Sequence, residues 1–531
     1  MRLKELFSAG GVEEARGDMD QSITGFSYDS RAVKKGEVFF AVPGARVDGH
    51  GFAPEALKQG AAAVVVEKRI RLPEHATWVR VRNVRHTMGR WSASFYSHPS
   101  RRMAVVGVTG TNGKTTVTYL LESILSAAGI AAGVIGTINY RYRGRTFPAL
   151  YTTPESVDLQ ALLARMVDAD VQSVAMEVSS HALELERVRD IEFDGAIFTN
   201  LTRDHLDFHR DMKNYFSAKR RLFNDYLSAS SKGKKFAVIY GGDSWGVELL
   251  RELGARKGSE LEIVSYGQGK DWEIHPLAVA SDLEGLRGRL LVRGREVGFS
   301  SRLIGGANLE NIMAAAGAGL ALGLPAGAIA EGIARMESVP GRLERIENGL
   351  GLTVLVDYAH TPDALERVLS ALRPLTRGRL ITLFGCGGDR DRGKRPLMGD
   401  IAARLSDLVV LTSDNPRTED PLEILAEVEE GVRATGLKKF EISDLKFENS
   451  KLKIQNSKIA DGGYFIEPDR RAAVGAALRL GRAGDAVLIA GKGHEDYQIL
   501  GSKRIAFDDR MVAREELRRL GSWSSVLRQK N

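Results

Sequence analysis

The chain has 531 residues, which is too long for one hydrophobic core, so we expect about three domains. Hydrophobic residues make up 43% and charged residues 27%, as in ordinary globular proteins, and no apolar run reaches the roughly 18 residues that a membrane-spanning helix needs. The 75 basic and 68 acidic residues are mixed along the chain, which argues against nucleic-acid binding and favours an enzyme with anionic substrates. The acids near the N-terminus, where a signal peptide would be apolar, and the single cysteine, Cys386, predict a cytoplasmic protein.

Strand-like and helix-like segments alternate along the whole chain, which is typical of α/β folds. Residues 1–100 contain strand patterns at 37–42 and 61–66. At Met103 a buried-type strand runs into a glycine-rich turn and a helix at 114–128, and a Pro-Gly pair at 340–341 precedes a third alternation. The strands of this last alternation are predicted at 352–356, 380–384, 408–412 and 486–490.

We therefore predict an α/β protein with domains at 1–100, 101–340 and 341–531. The middle domain is expected to hold a P-loop ATPase-type parallel sheet, and the last domain a Rossmann-like, doubly wound sheet. Residues 438–462 are polar, lysine-rich and faintly repetitive, which favours a surface insertion, although an ordinary amphipathic strand pair remains an alternative.

The strongest local signal is the segment Gly107-Val-Thr-Gly-Thr-Asn-Gly-Lys-Thr-Thr116, which lies between a strand and a helix. Such a loop directs backbone N–H groups and the positive end of the helix dipole at phosphate oxygens. Lys114 can reach the β- and γ-phosphates of a nucleotide, and Thr115 can bind Mg²⁺. A strict P-loop needs glycine where this chain has Val108, which argues against ordinary kinases and GTPases. The predicted ATP-binding residues of the loop are Gly110, Thr111, Asn112, Gly113, Lys114, Thr115 and Thr116.

The segment 109–115 resembles the ATP loop of the Mur ligases and of their folylpolyglutamate synthase relatives. Three further segments resemble Mur-ligase signatures and follow in the family's order, namely Met176-Glu-Val-Ser-Ser-His181, Thr199-Asn-Leu-Thr-Arg-Asp-His-Leu-Asp207 and Asp357-Tyr-Ala-His360. The resemblance covers nearly the whole chain. It implies an ATP-dependent ligase that activates a carboxylate as an acyl phosphate, which an amine then attacks.

The resemblance also implies roles for residues that look ordinary by themselves. Glu177 and His205 would bind Mg²⁺ with Thr115, and Lys219 would join them as a carbamate, so that Lys114, Glu177, His205 and Lys219 form the catalytic set. Without the resemblance, Lys219 is one basic residue on an amphipathic helix, and Glu177 is a buried paired acid. The remaining ATP contacts would come from Asn308, Asn311, Arg342 and Asp357, with His360 beside them.

A second implied site holds the UDP-linked precursor, UDP-MurNAc-L-Ala-D-Glu. By composition alone, its first-domain part is an Asp-Ser turn and a strand. The sequence departs from the family pattern at Ala307 and also at Tyr151 and Leu185, where one hydrogen bond to the precursor could be loosened. The implied contacts are Tyr28, Ser30, Ala45, Arg46, Val47, Thr152, Thr153, Ser180 and Arg187.

The entering amine is indicated by Asp414-Asn415-Pro416-Arg417, which follows a predicted strand at its C-terminal end, where open α/β sheets bind ligands. The fork of Arg417 can hold a carboxylate with two hydrogen bonds. The motif resembles that of the Mur ligases that add meso-diaminopimelate, whereas lysine-adding relatives lack the arginine. Arg390, Gly491 and Glu495 would complete this site. The loop could instead be a simple turn before a helix capped by Asp420.

Four alternatives are weaker. A folylpolyglutamate synthase would lack the UDP-type first domain, and a lysine-adding ligase would differ mainly at 414–417 and 491–495. An inactive nucleotide-binding regulator would be expected to lose Lys114, Glu177 or Lys219, and a nucleic-acid-dependent ATPase is disfavoured by Val108 and by the mixed charge. We expect a monomer that uses ATP, Mg²⁺ and small-molecule substrates, without nucleic acid or membrane insertion.

Overall fold

The structure is a computed structural model, and it describes residues 1–44, 47–256, 260–440, 445–448, 451–454 and 462–528. The chain forms two compact units. The first contains Met1–Pro276, Leu290–Val297 and Glu310–Ile333, and the second contains Leu277–Arg289, Gly298–Leu309 and Ala334–Asn531. Within the described residues, no helix combines the length and the hydropathy that crossing a membrane requires.

The N-terminal sheet consists of β1 (Val12–Arg16), β2 (Gly25–Ser27), β3 (Glu37–Phe40), β4 (Ala63–Val66) and β5 (Trp78–Val81), with helices α1 (Ala53–Lys58) and α2 (Val84–Phe95). The strand order is β1-β5-β4-β3-β2, parallel except for β1. Alternate residues of β4 point to opposite faces. Val65 packs in the cluster that includes Trp91 of α2, whereas Val64 packs with Ala53 of α1.

The middle segment begins with β6 (Ala104–Thr109), α3 (Lys114–Ala127), β7 (Ala132–Ile135), β8 (Asn139–Tyr142), β9 (Arg145–Pro148), α4 (Ser156–Asp168), β10 (Ser173–Glu177), α5 (Ser180–Glu184), β11 (Gly195–Phe198), α6 (Leu206–His209) and α7 (Met212–Arg221). It continues with β12 (Lys235–Tyr240), α8 (Ser244–Gly254), β13 (Leu261–Tyr266), β14 (Ile274–Asp282), β15 (Gly285–Val292), β16 (Arg295–Ser301), α9 (Gly306–Ala321) and α10 (Ala326–Arg335). The eleven strands are ordered β16-β15-β14-β13-β12-β11-β6-β10-β7-β8-β9. β6 lies between the parallel neighbours β10 and β11, so the carboxyl ends of these three strands share one edge.

The C-terminal segment contains β17 (Glu344–Ile346), β18 (Thr353–Asp357), α11 (Pro362–Leu372), β19 (Leu380–Phe384), α12 (Lys394–Leu405), β20 (Leu408–Leu411), α13 (Pro421–Ala434), β21 (Leu445–Glu448), β22 (Lys451–Ile454), β23 (Gly463–Ile466), α14 (Arg470–Leu480), β24 (Ala486–Ala490), β25 (Tyr497–Leu500), β26 (Lys503–Ala506) and α15 (Asp509–Arg528). The main sheet has the order β17-β18-β24-β19-β20-β23 and is parallel except for β17. Phe384 packs on the face that holds Met398 of α12, and Leu383 packs on the face that holds Val474 of α14. Helices on both faces make this a doubly wound sheet.

The predicted α/β class is confirmed, and the predicted strands lie within two residues of the observed ones. α3 and the Asp420 cap of α13, whose side chain accepts a hydrogen bond from Leu422 N, are also confirmed. The bounds of the three predicted domains remain a prediction. Of the predicted insertion, β21 and β22 pair with each other, whereas residues 441–444, 449–450 and 455–461 lie outside the described residues.

A fully buried ion pair holds the carboxyl edge of the C-terminal sheet. Arg470 at the start of α14 donates from Nε and Nη2 to Asp509, at 2.8 and 2.7 Å. The same guanidinium donates to the carbonyls of Ser413, at 3.3 Å, and Ala490, at 2.9 Å. Because Ala490 ends β24 and Ser413 lies just after the end of β20, Arg470 ties together the loops that follow these two parallel strands.

Arg470→Met should therefore destabilise the protein by about 3–5 kcal/mol, because it leaves Asp509 buried without a partner. The double substitution Arg470→Met/Asp509→Leu should recover much of that loss, since no unpaired charge remains. Arg404→Met, which breaks the exposed Arg404–Asp400 pair, is the control and should cost about 0.5 kcal/mol. Urea unfolding followed by circular dichroism measures all three, and an Arg470→Met loss no larger than the control would contradict the prediction.

Candidate active site

The glycine-rich loop between β6 and α3 has a shape that only glycine permits at two positions. Gly110 has φ +143° and Gly113 has φ +88°, which L side chains rarely adopt. A Cβ atom would lie 1.9 Å from Thr199 Oγ1 at position 110, and 2.3 Å from Asn311 Oδ1 at position 113. Asn311, a predicted ATP contact, is thus packed against the loop.

The segment after β11 fixes the same loop from the other side. Thr111 N donates to Asn200 O at 2.9 Å, Asn112 N donates to Asn200 Oδ1 at 3.0 Å, and Thr199 Oγ1 donates to Asn112 O at 2.6 Å. These bonds hold the loop in one conformation, so its phosphate-binding geometry is set before a nucleotide arrives.

Two predicted catalytic lysines meet at one carbonyl. Lys114 Nζ donates to Gly110 O at 2.9 Å and to Thr111 O at 2.8 Å, and Lys219 Nζ donates to Gly110 O at 2.7 Å. Lys219 lies on α7 and is fully buried. Burial, and then the neighbouring Lys114 charge, hold the pKa of Lys219 well below its usual value. A lowered pKa favours the neutral amine form of Lys219 over the ammonium form.

Glu177 ends β10, next to β6, and its carboxylate is buried. Thr137 donates to it from its backbone N and from its Oγ1, both at 2.9 Å. Thr115 and Thr116 are buried in the first turn of α3. The carboxylate thus lies at the end of β10, and the two hydroxyls lie on the helix that follows the neighbouring strand β6.

His205 precedes α6 with a left-handed backbone (φ +52°). Its Nε2 lies 3.4 Å from Asp204 Oδ2, and its ring centroid lies 5.0 Å from that of His181 and 6.0 Å from that of Tyr215. The structure thus places His205 among aromatic side chains.

The candidate metal ligands do not form a closed protein cage. In the part of the chain that the structure describes, no three His, Cys, Asp or Glu side chains group as a metal site. The donors of Thr115, Glu177 and His205 nevertheless suit Mg²⁺, which typically uses one or two protein ligands together with water and substrate phosphates. Lys219 could contribute only after its amine had become an oxygen-bearing group.

The predicted precursor contacts fall into two groups. Thr152 Oγ1 lies 3.1 Å from Thr137 Oγ1, and Thr153 Oγ1 donates to Glu177 O at 2.8 Å. Arg187 Nη1 donates to Thr153 O at 3.1 Å. These residues thus form one network with Glu177 at the carboxyl end of β10.

Two other predicted precursor contacts make separate hydrogen bonds. Ser180 Oγ lies 2.9 Å from His209 Nε2, and Tyr28 donates to Asp158 at 2.6 Å. Ser30 is buried and Val47 is exposed, whereas Ala45 and Arg46 lie outside the described residues.

Two of the three departures from the family pattern, Tyr151 and Leu185, have different consequences here. The Tyr151 ring lies beneath the guanidinium of Arg187, 4.7 Å from its carbon, so Tyr151 helps to orient a predicted precursor contact. Leu185 contributes its backbone carbonyl to Arg85, at 3.5 Å, an interaction that any residue can make.

The remaining predicted ATP contacts lie in the second unit. Asn308 Nδ2 donates to Ile304 O at 2.8 Å. Asp357, at the end of β18, accepts from Leu343 N at 2.7 Å and from Ala359 N at 2.8 Å, and burial raises its pKa. The Arg342 guanidinium lies 4.8 Å from the Tyr358 ring centroid. Asp357 thus shapes the loops on either side of it.

The predicted amine site is assembled around a residue that the sequence did not single out. Lys492 is fully buried after β24, and its Nζ lies 3.3 Å from Asp414 Oδ1, 3.0 Å from Asn415 Oδ1 and 3.3 Å from Glu495 Oε2. Gly491, with φ +112°, precedes it. A lysine between two glycines after a buried strand is a local signal, but two of its three partners, Asp414 and Asn415, are more than 75 residues away in the chain.

The two predicted carboxylate-binding arginines lie on neighbouring loops. Arg417 has a left-handed backbone (φ +54°), and its Nη1 donates to Gly388 O at 2.6 Å. No other hydrogen bond of this guanidinium occurs among the described residues, so its fork keeps donors for a ligand. Arg390 is exposed and donates to the carbonyl of Asp389 at 3.1 Å, and Pro416 is buried.

Comparisons with known proteins place this geometry in a family. Three family profiles match in chain order: the Mur ligase family catalytic domain at residues 22–96, the Mur ligase middle domain at 108–319 and the Mur ligase glutamate ligase domain at 341–493. The UDP-N-acetylmuramoyl-L-alanyl-D-glutamate--2,6-diaminopimelate ligase of Geobacter metallireducens is 47% identical over 523 residues, which cover 98% of this chain and 99% of that protein.

Solved structures agree. A UDP-N-acetylmuramoyl-L-alanyl-D-glutamate--2,6-diaminopimelate ligase superposes with a TM-score of 0.69 at 30% identity, over 98% of this chain and 99% of the other. The MurF ligase from Thermotoga maritima in complex with ADP has a TM-score of 0.57 at 19% identity, over 96% of this chain and 98% of the other, and shares the fold. The chain therefore belongs to the Mur ligase family of ATP-dependent ligases.

Proposed function

We propose that this ligase joins meso-diaminopimelate to UDP-MurNAc-L-Ala-D-Glu, in the synthesis of a peptidoglycan precursor. The choice of amine rests on Arg417. Its guanidinium keeps hydrogen-bond donors available for a ligand, close to Arg390 and to the Asp414–Glu495 network. Relatives that share 47% of the sequence are named for this reaction. Because the reaction consumes ATP and one chain supplies all the candidate groups, we also propose a cytoplasmic monomer.

The reaction has two steps. A carboxylate oxygen of the precursor attacks the γ-phosphorus of ATP, the bond to the bridging oxygen breaks, and ADP leaves. The amine nitrogen of diaminopimelate then attacks the acyl carbon, the acyl C–O bond breaks, phosphate leaves, and the nitrogen loses a proton. In this proposal the phosphate oxygens bind at backbone N–H groups in the first turn of α3, because the N–H groups of Thr111 and Asn112 are already bonded to Asn200. Lys114 balances the charge that builds up on the phosphates.

A carboxylate attacking a polyanion needs added positive charge, and Mg²⁺ bound with the nucleotide would supply it. Thr115, Glu177 and His205 are the side chains that would hold the ion. Lys219 is suited to reaction with carbon dioxide, because a neutral amine is the form that reacts and its pKa is lowered by burial. The resulting carbamate would place two oxygen atoms next to Gly110 and Lys114. The unmodified ammonium group of Lys219 has no atom that can bind a metal ion.

The amine site separates diaminopimelate from lysine through one carboxylate. Lysine lacks the distal carboxylate, so with lysine the remaining donors of the Arg417 fork would gain no charged partner. Glu495 would receive the distal ammonium. If the enzyme added lysine instead, the substrate would have no distal carboxylate for Arg417 to bind.

The proposed reaction predicts a specific requirement for diaminopimelate. The purified protein should release phosphate from ATP when UDP-MurNAc-L-Ala-D-Glu and meso-diaminopimelate are both present, and lysine should replace diaminopimelate poorly. Phosphate release with each amine, and mass spectrometry of the product, measure this. Efficient turnover with lysine alone would reject the proposed amine.

The role of Arg417 predicts a substrate-specific defect. Arg417→Ala should raise the KM for diaminopimelate about 10- to 100-fold, because a charged hydrogen-bonded contact is lost, and it should leave the KM for ATP nearly unchanged. Arg417→Lys should lie between the two, since it keeps the charge without the fork. Steady-state kinetics with each substrate varied provide the test, and equal changes in both KM values would exclude the role.

The role of Lys219 predicts loss and chemical rescue. Lys219→Ala should lower kcat by about 100-fold or more, and short carboxylic acids such as acetate should restore part of it by supplying the missing oxygens. Lys213→Ala, on the exposed side of the same helix, is the matched control and should keep full activity. Full activity of Lys219→Ala would remove this residue from the mechanism.

A further inference from the structure

Lys492 is a buried cation to which the reaction described above assigns no part. Its side chain is completely shielded from solvent, and its Nζ lies within 3.3 Å of two carboxylates and one amide oxygen. A buried ammonium is tolerated only when such partners satisfy its charge and its three donors. The position of Lys492 and those of its partners are therefore mutually dependent.

The cluster around Lys492 joins two loops that leave different strands. Asp414 and Asn415 follow β20, whereas Lys492 and Glu495 follow β24. Asn415 Nδ2 also donates to Glu495 Oε2 at 3.0 Å, and Asn415 Oδ1 accepts from Ile499 N at 3.0 Å. Lys492 is the cation of this network, and without it two carboxylates would face each other.

We propose that Lys492 is a positioning residue that ties the Asp414–Asn415 turn to Glu495 and thereby sets the binding of the distal ammonium group of diaminopimelate. This inference rests on the proposed function. Two carboxylates and one ammonium leave the cluster with one net negative charge, which complements the distal ammonium that diaminopimelate keeps while its other amino group attacks. Lys492 contacts the recognition residues and acts through them.

The charge of Lys492 also controls when Glu495 is ionised. Burial raises the pKa of Glu495, while the Lys492 ammonium lowers it and the Asp414 charge raises it. Removing Lys492 should therefore raise the pKa of Glu495 further, so that its carboxylate protonates at a higher pH. The titratable and charged groups that influence this cluster are Asp414, Lys492, Tyr358, Tyr497, Arg417 and Arg470.

The test uses Lys492→Met, which keeps the aliphatic stem, in the full-length enzyme. We expect the KM for diaminopimelate to rise at least about tenfold with the KM for ATP within twofold, because a buried charge pair in the amine site is broken. The acid-side fall of kcat/KM for diaminopimelate should begin at a higher pH than in the unsubstituted enzyme. Lys503→Met, at an exposed lysine of β26, controls for the loss of one charge near the site.

A double-substitution cycle tests whether Lys492 acts through Glu495. If it does, Lys492→Met/Glu495→Gln should bind diaminopimelate about as well as Glu495→Gln alone, and its thermal midpoint should exceed that of Lys492→Met, because the second carboxylate is gone. The thermal comparison decides the question even if Lys492→Met proves too unstable to assay.

Any of three results would overturn the proposal. The first is an equal rise in the KM values for diaminopimelate and for ATP, and the second is no change in the pH at which kcat/KM falls on the acid side. The third is KM effects that multiply in the double variant together with no gain in its thermal midpoint. Failure of the proposed function is separate from these results. In that case the unsubstituted enzyme would itself show no phosphate release dependent on diaminopimelate, whatever the Lys492 variants do.

Discussion

The carbonyl of Gly110 accepts hydrogen bonds from two lysines, and the arrangement of the nucleotide end follows from that contact. A side chain at this position would collide with Thr199, so the carbonyl reaches both amines only because the residue is glycine. The proximity of the two amines contributes to the low pKa of Lys219. The loop proposed to bind phosphate and the lysine proposed to be carbamylated thus depend on one backbone conformation.

The C-terminal sheet organises its carboxyl edge by a different means. Arg470 binds the last carbonyl of β24 and a carbonyl just after β20, and it is paired with Asp509. The loops that start there carry Asp414 and Lys492. A buried pair of this kind stabilises little compared with apolar packing, but it fixes where each loop begins. The loops that carry the proposed amine-binding groups thus depend on an ion pair that is not itself proposed to touch the amine.

The sequence predicted the features whose physical cause is local. These features are the glycine-rich turn with positions 110 and 113, the cap at Asp420 and the alternation of buried strands. Each depends on a few consecutive residues. The contacts of Lys492 and Arg470 could not be predicted in this way, because each pairs with groups that only the strand order brings near. The link from Glu177 to Thr137 was missed for the same reason, since 40 residues separate them. The predicted precursor contacts at Ala45 and Arg46 lie outside the described residues.

The two buried lysines illustrate how one residue type acquires opposite uses. Lys219 donates to a single carbonyl and lies near another lysine, so its neighbours favour the neutral amine, which can react. Lys492 is held by two carboxylates and an amide oxygen, so its side chain serves to join the groups around it. Burial is complete in both cases, and the difference lies in the charge of the nearest groups. Replacing either lysine by arginine would remove that difference, because a guanidinium stays charged in both surroundings.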